Sequence, residues 1–292
     1  MAFKQKLQEK LHDDLSDLEL NLIPKGFQVI GDIIILNLPE GLLKYKKKIA
    51  DAVLELFPKI KSVCNKVSGV SGKYREPEIE LLAGDKNTET IHLESGCKYK
   101  FDIRKLMFAK GNLSERIRVA NQIKSSKSGS QEIIIDMFSG LGYFTIPNAK
   151  LGGPKKIYAI EWNPIACKYL KENLVLNKIQ SIVEVIHGDS LVEVPKLIEQ
   201  CVVADRIMLG LLPPPTSHIA LAIKASKKGT KIHYDDLIRT EHVDEDVKKT
   251  LDLFNKAAKE DRKGFTVKLV SANNVKSYGP KMDHYVLDLE VC

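Results

Sequence analysis

Three carboxylates stand where short apolar runs give way to loops. Asp136 follows Ile133-Ile134-Ile135, Glu161 follows Ile157-Tyr158-Ala159-Ile160, and Asp189 closes the run Val183-Glu184-Val185-Ile186-His187-Gly188. The first opens the stretch Asp136-Met137-Phe138-Ser139-Gly140-Leu141-Gly142-Tyr143-Phe144. Glycines at 140 and 142 let the backbone turn tightly and approach a ligand that a Cβ would exclude. Glu161 lies 25 residues beyond Asp136, a spacing at which a carboxylate accepts from both hydroxyls of a ribose in nucleoside-binding sheets. Asp189, at the third edge, is placed to accept from an adenine amino group. One such acid is explained as well by an ordinary loop; three in succession point to a nucleoside. The third glycine of a dinucleotide fingerprint is missing, since Phe144 and Thr145 occupy that region, which argues against NAD.

Acids at strand ends need a parallel sheet to carry them, because open α/β sheets bind ligands outside the carboxyl ends of their strands. From residue 131 the sequence supplies one. Apolar runs over 133–135, 157–160, 183–186, 206–209 and 231–233 alternate with helical stretches over 143–151, 164–176, 190–200 and 216–227. Strands over 266–271 and 285–291 close the pattern. This predicts an α/β, Rossmann-like doubly wound sheet over residues 105–292. Residues 1–104 read as a smaller N-terminal α+β domain. It has a helix over 4–20, strands over 27–30 and 33–38 about Gly31-Asp32, and a helix over 40–57 stopped by Pro58. Short strands over 62–67, 78–82 and 90–93 follow. Ser114 is the expected N-cap of a helix running to 123, with 124–130 an exposed loop. Asn173, Asn177 and the pair His233-Tyr234 read as packing groups.

The 292 residues are 43% hydrophobic and 28% charged, which excludes a largely disordered chain. No apolar run approaches the ~20 residues of a membrane span. Five scattered cysteines without a C-x-x-C pair, and no His/Cys/Asp group at metal-ligand spacing, predict neither disulfides nor metal, in a reducing cytoplasmic setting. The net charge of +7 is concentrated in 104–128, where seven basic side chains face one acidic. Composition alone allows a solvated helix surface there. Clustered Lys and Arg also gain free energy by releasing counterions from a polyanion.

The glycine loop and its three acids are together similar to the signature of class I S-adenosylmethionine (SAM) transferases. Over nearly its whole length the chain resembles the archaeal tRNA wybutosine-synthesising protein 2 family. These are tRNA aminocarboxypropyltransferases, sister to the tRNA guanine-N1 methyltransferases. The resemblance is carried by Arg75-Glu76-Pro77, Glu80-Leu81-Leu82-Ala83-Gly84, Met107-Phe108-Ala109 and Glu115-Arg116-Ile117-Arg118. It continues through the 136–142 loop, Tyr158-Ala159-Ile160-Glu161-Trp162-Asn163-Pro164, Asp205-Arg206-Ile207-Met208, Ile232-His233-Tyr234 and His284-Tyr285-Val286-Leu287-Asp288-Leu289.

The resemblance implies transfer of the 3-amino-3-carboxypropyl group of SAM to a tricyclic guanosine derivative beside the anticodon of phenylalanine tRNA. The alternative is SAM-dependent methylation of guanine N1 at the same nucleotide. Two departures from the methyltransferases favour the first: Gly210-Leu211-Leu212 where they usually carry Asn-Leu-Pro, and Gly111-Asn112-Leu113 where they carry Pro-Arg-Leu or Ser-Arg-Leu. Ala109 stands where the aminocarboxypropyl branch usually has serine. The implied cofactor site joins Asp136, Phe138, Gly140, Gly142, Glu161 and Trp162 to Asp189, Ser190, Asp205, Ala109 and Arg116. Arg116 would hold the cofactor's charged tail or a phosphate. RNA contacts are expected from Lys110, Arg118, Lys124 and Lys127 and from the N-terminal domain, in a monomer. No residue is singled out as catalytic.

Overall fold

The computed structural model describes residues 2–126, 128–261 and 264–292. The chain forms two compact units, Met1–Phe108 and Ala109–Cys292.

In the first unit the leading helix breaks where the leucine spacing predicts continuation. α1 (Phe3–Leu11) stops and α2 (Asp17–Leu22) restarts after Ser16. The Glu19 N–H donates to Ser16 Oγ, and the Glu19 carboxylate accepts from the Ser16 N–H at 2.9 Å. This reciprocal cap defines a helix start inside the expected helix over 4–20. β1 (Gln28–Ile30) and β2 (Ile33–Leu36) form an antiparallel hairpin. A 3-10 turn, Glu40–Tyr45, leads into α3 (Lys46–Leu56). β2 runs parallel to β3 (Ser62–Ser71), which pairs antiparallel with β4 (Glu76–Gly84). Leu7, Leu11, Ile34, Leu36, Val53 and Val63 share one core beneath these elements. β5 (Glu89–Glu94) and β6 (Cys97–Asp102) make a separate hairpin. β6 is absent from the sequence reading, although its buried Cys97, Tyr99 and Phe101 alternate as a half-buried strand requires.

The second unit opens with α4 (Leu113–Ser125), followed by β7 (Ile133–Asp136), α5 (Thr145–Pro147) and a wide turn over Asn148–Gly152. Next come β8 (Lys156–Glu161), α6 (Pro164–Asn177), β9 (Val183–His187), α7 (Ser190–Glu199) and β10 (Ala204–Leu209). α8 (Ile219–Lys224), β11 (Ser226–Arg239), α9 (Val243–Glu260), β12 (Val267–Gly279) and β13 (Met282–Val291) complete it. Among the described residues these strands form one seven-stranded sheet in the order β12-β13-β11-β10-β7-β8-β9. β7 to β11 are mutually parallel, and β13 returns antiparallel between β11 and β12. The chain winds from β7 toward β9 on one side and resumes at β10 on the other. The carboxyl edge of β7 and β10 is therefore the switch point at which such sheets bind ligands.

Two details differ from expectation. α4 begins at Leu113, with Asn112 at the cap position, so Ser114 lies within its first turn and Lys124 is helical rather than in a loop. α9 fills a stretch left unassigned, although Val247, Phe254 and Ala258 recur at helical spacing and are buried. Phe254 meets the ring of Tyr234 edge-on at 5.2 Å, closing the core on that face of the sheet. No helix among the described residues is long and apolar enough to cross a membrane.

Candidate active site

β7 delivers Asp136 to the switch point, where the protein itself occupies its oxygens. One accepts from Thr145 Oγ1 at 2.6 Å and the other from the Phe138 N–H at 3.3 Å. Burial pushes this carboxyl up to about 6, against the lowering by Thr145 and Phe138. Asp136 thus shapes the loop that follows it. Gly140 and Gly142 take φ values of +56° and +104°, a region that side chains strongly disfavour. A Cβ on Gly142 would also stand 2.5 Å from Ile146 Cδ1. Gly142→Ala is accordingly expected to lower unfolding free energy by about 2 kcal/mol or more in urea titration. An unchanged midpoint and slope would contradict that.

Glu161 ties the next strand end to this loop. Its Oε2 accepts from the Gly140 N–H and its Oε1 from the Asn163 N–H, both at 2.7 Å. The side chain is 8% exposed. Burial raises its pKa, and the Asn163 and Gly140 N–H groups only partly offset the rise. Asn163 in turn caps α6, accepting from the Ile165 N–H at 2.9 Å with Pro164 in the first turn. Trp162 is exposed beside it. At the third edge Asp189 caps α7 through the Leu191 N–H at 2.9 Å, and Ser190 is buried as the first residue of that helix.

The opposite wall comes from α4. Arg116 is 1% exposed, lies 4.9 Å from the Tyr143 ring and donates to the Ala109 carbonyl. Phe138 packs edge-on to His218 at 4.8 Å, tying the loop to the segment after β10. Loop backbone, the Glu161 carboxylate and the buried Arg116 guanidinium thus lie along one sheet edge, a donor and acceptor set that fits a nucleoside with a charged tail.

The TRM5/TYW2 methyltransferase domain matches residues 90–268, and the TYW2 N-terminal domain matches residues 7–88. The chain belongs to the TRM5/TYW2 family. It is 33% identical over 290 residues to a tRNA(Phe) (4-demethylwyosine(37)-C(7)) aminocarboxypropyltransferase of Pyrococcus horikoshii, covering 99% of this chain and 98% of that one. A tRNA (guanine(37)-N(1))-methyltransferase Trm5b of Pyrococcus abyssi is 36% identical over 212 residues, covering 73% of this chain and 60% of its own length. The solved structure of P. horikoshii TYW2 in complex with MeSAdo covers 99% of both chains at 31% identity, with a TM-score of 0.80.

Within this TRM5/TYW2 fold, two expected site residues are placed elsewhere. Asp205 is second in β10, at the amino end of a strand whose carboxyl end faces the site. About 3.3 Å per residue separates it from that edge by some four residues of strand. Its carboxylate accepts from the Ile133 N–H at 2.9 Å and pairs with Lys227 at 2.7 Å, so it fastens the far edge of the sheet. Arg118, expected to contact RNA, is instead engaged within the protein. Its guanidinium is divided between Glu115, at 2.7 to 3.0 Å, and Asp288, at 2.9 Å. Lys124 is exposed near the end of α4. Lys110 falls in a 3-10 turn, Lys110–Asn112; its side chain, and Lys127 altogether, lie outside the described residues.

Asn173 and Asn177 are packing groups, as expected: Asn173 donates to the Leu141 carbonyl at 3.3 Å and Asn177 to the Asn173 carbonyl at 2.9 Å. His233 is likewise held on both sides, by Asp288 at 2.7 Å and Arg206 at 2.6 Å. The sequence reading gave no role to Tyr143, His218 or Asp235. Tyr143 could have been found as the residue leaving the glycine loop; His218 reaches the loop from a 3-10 turn, Thr216–His218, beyond β10, and Asp235 is placed only through strand register.

Proposed function

We propose that this chain transfers the 3-amino-3-carboxypropyl group of SAM to a ring carbon of the tricyclic guanosine derivative at position 37 of tRNA(Phe). The end-to-end match to the P. horikoshii aminocarboxypropyltransferase, through both units, carries this reading. The end of β10 agrees with it. Gly210 has no side chain to hold an amine, and a Cβ there would meet the Phe144 ring at 3.5 Å. That edge is therefore bordered by an aromatic face rather than by an amide.

Bound at the switch point, SAM supplies a sulfonium whose neighbouring carbons are electrophilic, and the one held in line with the nucleophile at about 3–3.5 Å reacts. This chain's residues decide which. Glu161 takes the ribose hydroxyls, Asp189 the adenine amino group, and the glycine turns let the backbone come close. Arg116, held against the Ala109 carbonyl and the Tyr143 ring that leaves the glycine loop, is assigned to the tail. Fixing the nucleoside while the tail is drawn toward Arg116 presents Cγ. A C–C bond forms there, the C–S pair stays on sulfur, and the ring carbon gives up a proton. Lys110, Lys124, Lys127 and the N-terminal domain, residues 1–104, are assigned to holding the tRNA.

SAM labelled separately in its methyl and carboxyl groups tests this reading. Carboxyl label on the RNA, with methyl label leaving in methylthioadenosine, is expected. Methyl label on the RNA, with S-adenosylhomocysteine released, would place the chain with the methyltransferases.

A further inference from the structure

β10 stops at Leu209, opposite Tyr234, whereas β11 continues five residues further to Arg239 and stays paired with β13 as far as Met282. The extension forms a wall beside the carboxyl edge on which the glycine loop sits. Side chains alternate along a strand, so Asp235 and Leu237 share the face of His233, which lies level in register with Met208 and Asp136. On that face His284, opposite Leu237, donates its Nε2–H to Asp235 at 3.0 Å. His284 is 1% exposed and Asp235 4%. Asp235 stands one residue past the last paired position of β10 and two residues beyond the level of Asp136, on the carboxyl side of the sheet. Lys276 of β12, opposite His284, lies against Gly111, where an added Cβ would fall 2.3 Å from its Nζ. The wall therefore abuts the turn that leads into α4 and Arg116.

The bond to Asp235 sets the tautomer. With the ring proton on Nε2, the lone pair of neutral His284 is on Nδ1. That atom is buried and has no hydrogen-bond partner among the described residues; neither has Asn112 Oδ1, in the turn beside Gly111. An orphaned buried polar atom is costly, and this one lies across the ring from the nitrogen that Asp235 holds. The contrast with His233 is informative, because both nitrogens of that ring are bonded within the protein. His233 is structural; His284 keeps one nitrogen in reserve.

We propose that His284, backed by Asp235, accepts the proton that the RNA base loses during transfer. This rests on the aminocarboxypropyl reading, in which the acceptor is a ring carbon. Once that carbon has bonded to Cγ and the C–S pair has gone to sulfur, the base carries a positive charge and an sp3 C–H. Nδ1 takes this proton, the C–H pair restores the ring, and Asp235 balances the imidazolium.

The test is single-turnover transfer from carboxyl-labelled SAM to tRNA, with wild type, His284→Ala and His284→Asn. Both variants are expected to react about 100- to 1,000-fold more slowly, with the SAM and tRNA dissociation constants within about threefold of wild type. Imidazole should recover about tenfold or more of the rate in His284→Ala, which a merely structural histidine would not permit. The asparagine retains a hydrogen bond toward Asp235 and guards against collapse of the site. Rates within about threefold of wild type would overturn the proposal. So would a loss of rate that imidazole leaves untouched and that SAM binding shares. If wild type moves the methyl label instead, the aminocarboxypropyl reading falls, and this proposal with it, since its acceptor is a ring carbon. Carboxyl transfer that is insensitive to His284 sinks the dyad alone.

Discussion

Replacing Glu161 with alanine should weaken SAM binding by about a hundredfold or more while tRNA affinity stays within about threefold. Two hydroxyls donating to one carboxylate are charge-assisted hydrogen bonds, worth about 1.5–3 kcal/mol each, and every 1.4 kcal/mol is about tenfold in affinity. The substitution also strips acceptors from the Gly140 and Asn163 N–H groups. Some thermal destabilisation should therefore accompany the affinity loss, and calorimetry with SAM must be read beside tRNA binding by filter retention. Equal loss of both affinities would mean a damaged fold rather than a lost ribose contact. Glu161→Gln keeps one oxygen for the loop and should fall between the two. Because burial raises the Glu161 pKa, the carboxylate protonates at higher pH than an exposed glutamate. SAM affinity in the wild type should accordingly weaken earlier on acidification than an ordinary carboxylate would cause, and in Glu161→Gln that weakening should be smaller, with the remainder due to Asp136.

The pattern of strand, glycine turn and acid was legible because each part is local. Asp136, Gly140, Gly142 and Glu161 lie within a single β-loop-α-β passage, and the local rules that place acids at strand ends placed these. Asp205 shows where such reasoning stops. A carboxylate beside an apolar run reads the same at either end of the strand, and only the direction of β10 puts this one on the far edge. Arg118 shows a second limit. Its charge was visible, but its partner Asp288 lies 170 residues away and reaches it only through the return of β13. His284 stood within a motif used for resemblance, and its pairing with Asp235 depends on an antiparallel register that no local pattern encodes. The break before α2 was local and still missed, because leucine spacing outweighed the Ser16 and Glu19 cap in the reading.

Asp288→Ala should strongly destabilise the second unit, lowering unfolding free energy by about 3–5 kcal/mol in urea titration. Donors from Arg118, Gln122, His233 and Ser271 converge on its two oxygens. The network continues beyond it. Arg206 reaches His233 Nε2 at 2.6 Å and pairs with Glu132 at 2.9 Å, with Arg206 2% and Glu132 3% exposed. An arginine can only donate, so His233 must accept at Nε2 and is held neutral, with its proton directed from Nδ1 to Asp288. Burial lowers its pKa in the same direction, and the neighbouring Arg206 adds to the effect while Asp288 opposes it. Removing Asp288 leaves the Arg118 guanidinium short of a partner and the His233 N–H without an acceptor. Asparagine would not repair this, since it turns one acceptor into a donor facing donors. Burial alone would raise the Asp288 pKa, but the hydrogen bonds from His233 and Arg118 hold it well below the carboxylate range. A depressed folded pKa contributes stability above the unfolded value near 3.9 and loses it as the pH falls below. The stability gap between wild type and Asp288→Ala should therefore be full near neutrality and narrow below about pH 4. A gap under about 1 kcal/mol at neutral pH would mean that the converging donors find water instead, and that the β13 return is held by its apolar face alone.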